Sequence, residues 1–241
     1  MPSLRMLAWV ALATISVTRV QALHAAPEAP ATAASTTTRP APFLDVRRQS
    51  PTEGSAHDGE GKATVCAACH GPKGVAVAPN FPNLAGQSAT YLYLQLKQFK
   101  GGQRVDPIMS GQAANLSDAD MRDLASYYAS LPAKPPGSNE AQSAGARLYL
   151  GGDPARGIPP CQGCHGGDAT GMRVEAGAKP QPPWATFPRL RGQSVVYVTK
   201  ALNDFRAGTR SDSSNARIMQ GVAGTLGDDD IQQLSAYLST H

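Results

Sequence analysis

Two short stretches hold the residues best suited to chemistry: "CAACHG" at 66–71 and "CQGCHG" at 161–166. Each sets two thiols three residues apart with an imidazole directly behind the second. Together they contain all four cysteines of the chain, Cys66, Cys69, Cys161 and Cys164, followed by His70 and His165. A disulfide between residues so close closes too small a loop to restrain the unfolded chain much. A redox dithiol at this spacing belongs beside a βαβ pattern, which is absent here. A zinc site would combine both pairs and leave two histidines spare. None of these readings explains why a histidine must follow at once. Covalent haem does: the thiols add to the two vinyl groups of the porphyrin, and the next residue brings its imidazole to the iron. The expected cofactors are two covalently bound haem c groups.

Each iron then needs a sixth ligand or an open position. Met109 and Met219 occupy matching places, 39 and 54 residues after their histidines, each preceded by isoleucine in an expected loop between helices. A thioether there is a soft ligand that favours the reduced iron and raises its potential. The alternative, a flexible core filler, fits Met121 better; Met172, in the insertion and without a counterpart in the first half, reads as a loop residue and is the one rival ligand. A haem histidine is normally held through its other ring nitrogen. Pro82 and Pro188 are matched candidates to offer a backbone carbonyl, or they only shape a turn.

The elements that must position these residues occur twice. "NFPNLAGQSATY" at 80–91 returns as "TFPRLRGQSVVY" at 186–197, and "LKQFKGGQR" at 96–104 as "LNDFRAGTR" at 202–210. "PIM" at 107–109 returns as "RIM" at 217–219, and "LSDADMRDLASYYASL" at 116–131 as "LGDDDIQQLSAYLSTH" at 226–241. The offset grows from 95 to 106 to 110, so the second copy carries two insertions, the larger near "GMRVEAGAKPQPP". Ser117 and Asp120 begin a helix in capping-box fashion, with Met121, Leu124 and Tyr128 on one face. Ile231, Leu234 and Leu238 repeat that stripe. Tyr91 to Phe99 and Tyr197 to Phe205 read as a middle helix in each copy, and short helices lead towards each Cys pair. No alternating strand pattern appears, so the fold class is all-α.

Hydrophobic content of 41% with only 6% aromatics is lean for two separate cores, a shortage that a buried porphyrin would relieve. Residues 1–25 read as an export signal, with Arg5 before the apolar run Leu7 to Thr18 and small residues at Ala22, Ala25 and Ala26. Residues 26–57, rich in Pro, Ala and Thr, read as a disordered leader. Without the signal the formal charge falls from +4 to +2. No basic run marks a nucleic-acid surface. Haem propionates would offset the remaining charge, so no uniformly basic docking face is expected.

From about residue 58 onwards the chain resembles a dihaem cytochrome c of the cytochrome c4 type. The two Cys-x-x-Cys-His motifs, "NFPNLAGQ" and "TFPRLRGQ", "QLKQFKGGQR" and "ALNDFRAGTR", the paired methionines and "GGDPARGIPPCQGCHG" carry the resemblance. It implies two tandem class I cytochrome c domains related by a pseudo-twofold axis, at 58–133 and 140–241 with a linker at 134–139. It implies His/Met ligation of both irons and supports the carbonyl role of Pro82 and Pro188. It further implies a periplasmic carrier of single electrons between redox proteins, towards a terminal oxidase and with a quinol-oxidising complex among its partners, and not an enzyme. The leader leaves peripheral membrane association open. A dihaem peroxidase would need a displaceable ligand on one iron, which the paired methionines oppose. A gas sensor would need a weak sixth ligand and an output module, and no third domain exists. A dedicated electron-transfer subunit of a dehydrogenase or oxidase complex would share the chemistry and differ only in partner.

Overall fold

The computed structural model describes residues 42–135, 142–174 and 178–239. The expected export signal, leader residues 26–41 and linker residues 136–139 lie outside the described residues.

The first copy is built from α1 (Ala56–Lys62), α2 (Ala67–His70), α3 (Ala89–Gly101), α4 (Met109–Ala114) and α5 (Asp118–Ser130). The second repeats the order as α6 (Ala144–Gly151), α7 (Gln162–His165), α8 (Val195–Arg206), α9 (Ser214–Ala223) and α10 (Asp228–Leu238). Among the described residues only isolated β-bridges occur, so the all-α expectation holds. No helix among them is long and apolar enough to cross a membrane.

Serine starts most of the longer helices. The side chains of Ser55, Ser88, Ser143, Ser194 and Ser213 each accept a backbone N–H of the first turn, satisfying donors that have no partner within the helix. At α5 the box forms in full, with Ser117 and Asp120 bonded reciprocally. At α10 glycine occupies the cap, and the Asp230 carboxylate alone reaches back to the Gly227 N–H at 2.9 Å.

The first core gathers Leu92, Leu94, Met121, Leu124 and Tyr128; the second gathers Leu148, Tyr149, Ile231, Leu234 and Leu238. In each copy the first helix crosses the last at a glycine. A Cβ on Gly59 would lie 2.1 Å from the Asp123 carbonyl oxygen, and one on Gly145 2.1 Å from that of Gln233. Only a residue without a side chain permits that approach. The crossing ties the segment before each Cys pair to the end of its domain.

The leader expected to be disordered through residue 57 differs at its end. Residues 42–55 form a strap. Val46 is 1% exposed within the first core, while Leu44 bonds through its N–H to Asp212 O and through its carbonyl to Ser214 N, both at 3.0 Å. The Val46 N–H donates to Ser214 Oγ at 3.0 Å. Composition concealed this because Phe43, Leu44 and Val46, three apolar residues in a polar stretch, show no sustained periodicity. Part of the second copy's insertion packs there too: the Gln181 N–H reaches Gln49 O at 3.1 Å, and the Thr90 hydroxyl donates to Gln181 Oε1 at 2.9 Å.

Candidate functional site

Each Cys-x-x-Cys-His motif is a single helical turn. Cys66 precedes α2, while Cys69 and His70 lie within it; the His70 N–H donates to Cys66 O at 2.9 Å, and His165 matches it on Cys161 at 3.0 Å. Residues three and four apart on a helix share a face, so two sulfurs and an imidazole are presented together. The turn stops at Gly71 (φ 76°) and Gly166 (φ 82°), a left-handed backbone that a side chain would strain.

Both histidines are 6% exposed. Nδ1 of His70 bonds Pro82 O at 2.9 Å, and Nδ1 of His165 bonds Pro188 O at 2.9 Å. A carbonyl only accepts, so Nδ1 carries the proton and Nε2 keeps its lone pair, the form that ligates a metal. Burial lowers the pKa of both imidazoles, outweighing the bond to the carbonyl, so they stay neutral. Phe81 and Phe187, beside the two prolines, pack against the imidazoles with ring centroids 6.1 and 6.3 Å away.

The cysteines form no disulfide. Burial pushes the Cys161 thiol up to about 11 and raises Cys66 as well, opposite to the activated thiol of a redox dithiol. Among the described residues no group of three or more His, Cys, Asp or Glu side chains gathers to hold a metal ion directly.

Met109 opens α4 and Met219 lies inside α9, not in the loop expected from sequence. The reason is local capping. The Asp106 carboxylate accepts from the Ile108 and Met109 N–H groups at 3.0 and 2.9 Å, and Ser213 Oγ from the Ala216 N–H at 3.3 Å. Both methionines are half-buried, and Met219 packs beside Phe205, Ala216 and Ala223. Met121 is core filler at 4% exposed, and Met172 is 41% exposed.

The interface between the two copies contains charges without counterions. Arg210 donates to Tyr91 OH at 3.3 Å and Gln95 Oε1 at 2.7 Å; Arg104 donates to Tyr197 OH at 3.3 Å and Gln95 Oε1 at 2.7 Å. Each guanidinium also lies over the phenylalanine of its own middle-helix segment, 4.5 Å from the Phe99 ring and 4.4 Å from the Phe205 ring. Arg210 is 8% exposed, and its Nε is buried without a partner. Among the described residues no carboxylate pairs with either arginine. Burial first, then the like charge of Arg104, pulls the Arg210 pKa down. A buried cation lacking a counterion is costly, and an anionic group such as a haem propionate would supply the missing charge. The side chains present therefore fit the group: thiols and imidazole on one turn, a neutral histidine with Nε2 free, and unpaired guanidiniums for the acidic edge.

A cytochrome c family model matches residues 56–132 and 143–241. Cytochrome c4 of Pseudomonas aeruginosa is 41% identical over 186 residues, covering 77% of this chain and 88% of that protein. This chain belongs to the dihaem cytochromes c of the cytochrome c4 type. The crystal structure of reduced recombinant cytochrome c4 from Pseudomonas stutzeri is 38% identical and superposes with a TM-score of 0.68, covering 78% of this chain and all of that one. A protein of Stutzerimonas stutzeri named as a thiosulfate dehydrogenase electron acceptor is 38% identical over 182 residues, covering 73% of this chain and 79% of that protein. As a dihaem cytochrome c, the chain carries two covalently bound haem c groups and is an electron carrier, not an enzyme.

Sequence reasoning missed Phe81 and Phe187, Tyr91 and Tyr197, and Arg104 and Arg210. All six recur at one offset of 106 inside the repeated segments, and that recurrence was the available signal.

Proposed function

We propose that the four cysteines 66, 69, 161 and 164 attach the haems, that His70 with Met109 and His165 with Met219 supply the axial ligands, and that the chain passes single electrons between redox proteins. When bound, each haem supplies an iron that cycles between ferric and ferrous states. The observation that carries the ligand reading is the matched pair of Nδ1 bonds to Pro82 O and Pro188 O, each 2.9 Å, which turns both histidines into ready ligands. Fixed histidines on a capped turn change little between oxidation states, which keeps reorganisation small. Arg104 and Arg210 would hold the haem propionates, the two guanidiniums balancing their charge. Ile108 and Ile218, beside the two methionines, are 50% and 49% exposed and offer small apolar patches suited to brief docking.

The test is carbon monoxide binding by the reduced, haem-loaded protein. The unaltered protein binds little or none; Met109→Ala and Met219→Ala each open one iron, bind one equivalent and lower the potential of that haem. A variant whose spectrum and carbon monoxide binding match the unaltered protein overturns the ligand assignment.

The export-like segment at 1–25 supports a periplasmic setting, and the likeness to cytochrome c4 supports a terminal oxidase as acceptor. A second reading of the donor is favoured by the relative named as a thiosulfate dehydrogenase electron acceptor: a dehydrogenase that oxidises a small sulfur compound reduces this chain. Rapid reduction by such an enzyme, against reduction by a quinol-oxidising complex, distinguishes the two.

A further inference from the structure

Two buried glutamines join each histidine site to the opposite domain. Gln193 of the second copy accepts the Asn83 N–H on Oε1 at 2.9 Å and donates from Nε2 to Asn83 O at 2.7 Å. Gln87 of the first copy accepts the Arg189 N–H at 2.8 Å and donates to Arg189 O at 2.8 Å. Gln87 is 6% and Gln193 8% exposed. Each glutamine thus clamps one residue of the other domain as a neighbouring strand would.

The clamped residue matters because of what precedes it. The Asn83 N–H belongs to the same peptide group as Pro82 C=O, which accepts from His70 Nδ1. The Arg189 N–H shares its peptide with Pro188 C=O, which accepts from His165 Nδ1. A planar peptide conducts polarisation from one end to the other. When Gln193 accepts the Asn83 N–H, more negative charge gathers on Pro82 O, the Nδ1 proton is drawn more strongly, and the His70 ring becomes a stronger electron donor. A stronger histidine donor favours ferric iron.

We propose that Gln193 and Gln87 are positioning residues that lower the reduction potential of the haem in the opposite domain, acting through the Pro82–Asn83 and Pro188–Arg189 peptides. The inference rests on His70 and His165 being the iron ligands. Each haem then holds its working potential only while the two domains are docked, and each domain contributes to setting the other's driving force.

The experiment is a redox titration of the haem-loaded protein followed by NMR, with each haem's signals assigned to its domain through the change that Met109→Ala causes in the first alone. Gln193→Met keeps length and bulk but loses both bonds. It raises the potential of the haem on His70, a two- to threefold shift in the ferric/ferrous ratio, or about 18–28 mV at ~59 mV per tenfold; the haem on His165 does not move. Gln87→Met does the reverse. Thr90→Val removes another cross-domain bond, to Gln181, that leads to neither histidine, and leaves both potentials in place. If a Met variant fails to fold, Gln193→Asn and Gln87→Asn, which fall one methylene short, carry the same crossed expectation. Shifts confined to the glutamine's own domain, equal shifts of both haems, or no shift overturn the proposal. Failure of the histidine-ligand reading shows separately, as a His70→Ala or His165→Ala protein whose spectrum for the haem of that domain is identical to the unaltered one.

Discussion

Val46 tests whether the strap is part of the folded protein or an attached tail. It is 1% exposed among Leu92, Met121 and Leu124, and its neighbours along the strap are bonded to the loop that starts α9, the helix bearing Met219. Val46→Ala deletes two buried methyl groups, about 1.6 kcal/mol at ~0.8 kcal/mol each. The strap is fixed at Asp212 and Ser214 by backbone bonds that the substitution leaves intact, so the hole cannot close by sliding the chain. A residual cavity brings the loss to roughly 2–2.5 kcal/mol. For a cooperative unit of this size that is a fall in Tm of about 4–10 °C.

Calorimetry of the haem-loaded protein measures this directly. Ser214→Ala provides an independent check from the other end of the strap, because it strands the Val46 N–H, bonded to Ser214 Oγ at 3.0 Å, in a buried position. Its cost is about 1–3 kcal/mol. A freely moving leader would tolerate both changes within ~0.5 kcal/mol, and that result would refute the packing described here.

Two further predictions concern the helices that carry the sites. Gly59→Ala and Gly145→Ala force a Cβ to within 2.1 Å of a carbonyl oxygen on the crossing helix; each destabilises the haem-loaded protein by about 1–3 kcal/mol, seen as a lower guanidinium midpoint with the haem spectrum retained at zero denaturant. Asp230 accepts from both terminal nitrogens of Arg156 at 2.8 and 3.0 Å and from the Gly227 N–H, and these bonds, the guanidinium first, hold its carboxyl below the usual range. A depressed folded pKa means that the contribution is complete above the unfolded value of ~3.9 and is lost as pH falls through the folded value. Asp230→Asn therefore costs about 1–2 kcal/mol at neutral pH, the lower end because Arg156 is half in solvent, and the difference from the unaltered protein narrows below pH ~4 in acid unfolding.

How much of this was readable depends on where each residue's partner lies. The Cys-x-x-Cys-His turns, the Ser117–Asp120 box and the stripes Met121/Leu124/Tyr128 and Ile231/Leu234/Leu238 are local patterns, and each stands in the structure as its spacing implied. Pro82 and Pro188 were readable as candidates because a histidine needs an acceptor and only a matched residue in both copies would serve. The strap was not readable: its bonds to Asp212 and Ser214 span about 170 residues, and nothing in "FLDV" announces a partner that distant. Gln87 and Gln193 are a different case. They were in plain view within "AGQS" and "RGQS", yet the peptide each grips lies in the other copy, so nothing near it in the sequence marks it.

A two-fold interface explains why such residues appear twice. In an isologous contact, residue i of one half meets j of the other, and j of the first meets i of the second. Here Gln87 meets Arg189 while Gln193 meets Asn83, and Arg104 meets Tyr197 while Arg210 meets Tyr91. A residue that serves the contact symmetrically recurs in both copies, as Gln87/Gln193 and Arg104/Arg210 do, whereas Gln95, which meets Arg210 from the first copy, has Ala201 at the matching place. In this duplicated chain the polar pairs Gln87/Gln193 and Arg104/Arg210, each repeated at an offset of 106, lie at the seam between the copies. In this protein that seam is also where the backbone of each histidine's acceptor is gripped from the other side, so the repeat that builds two separate haem sites also makes each dependent on the other.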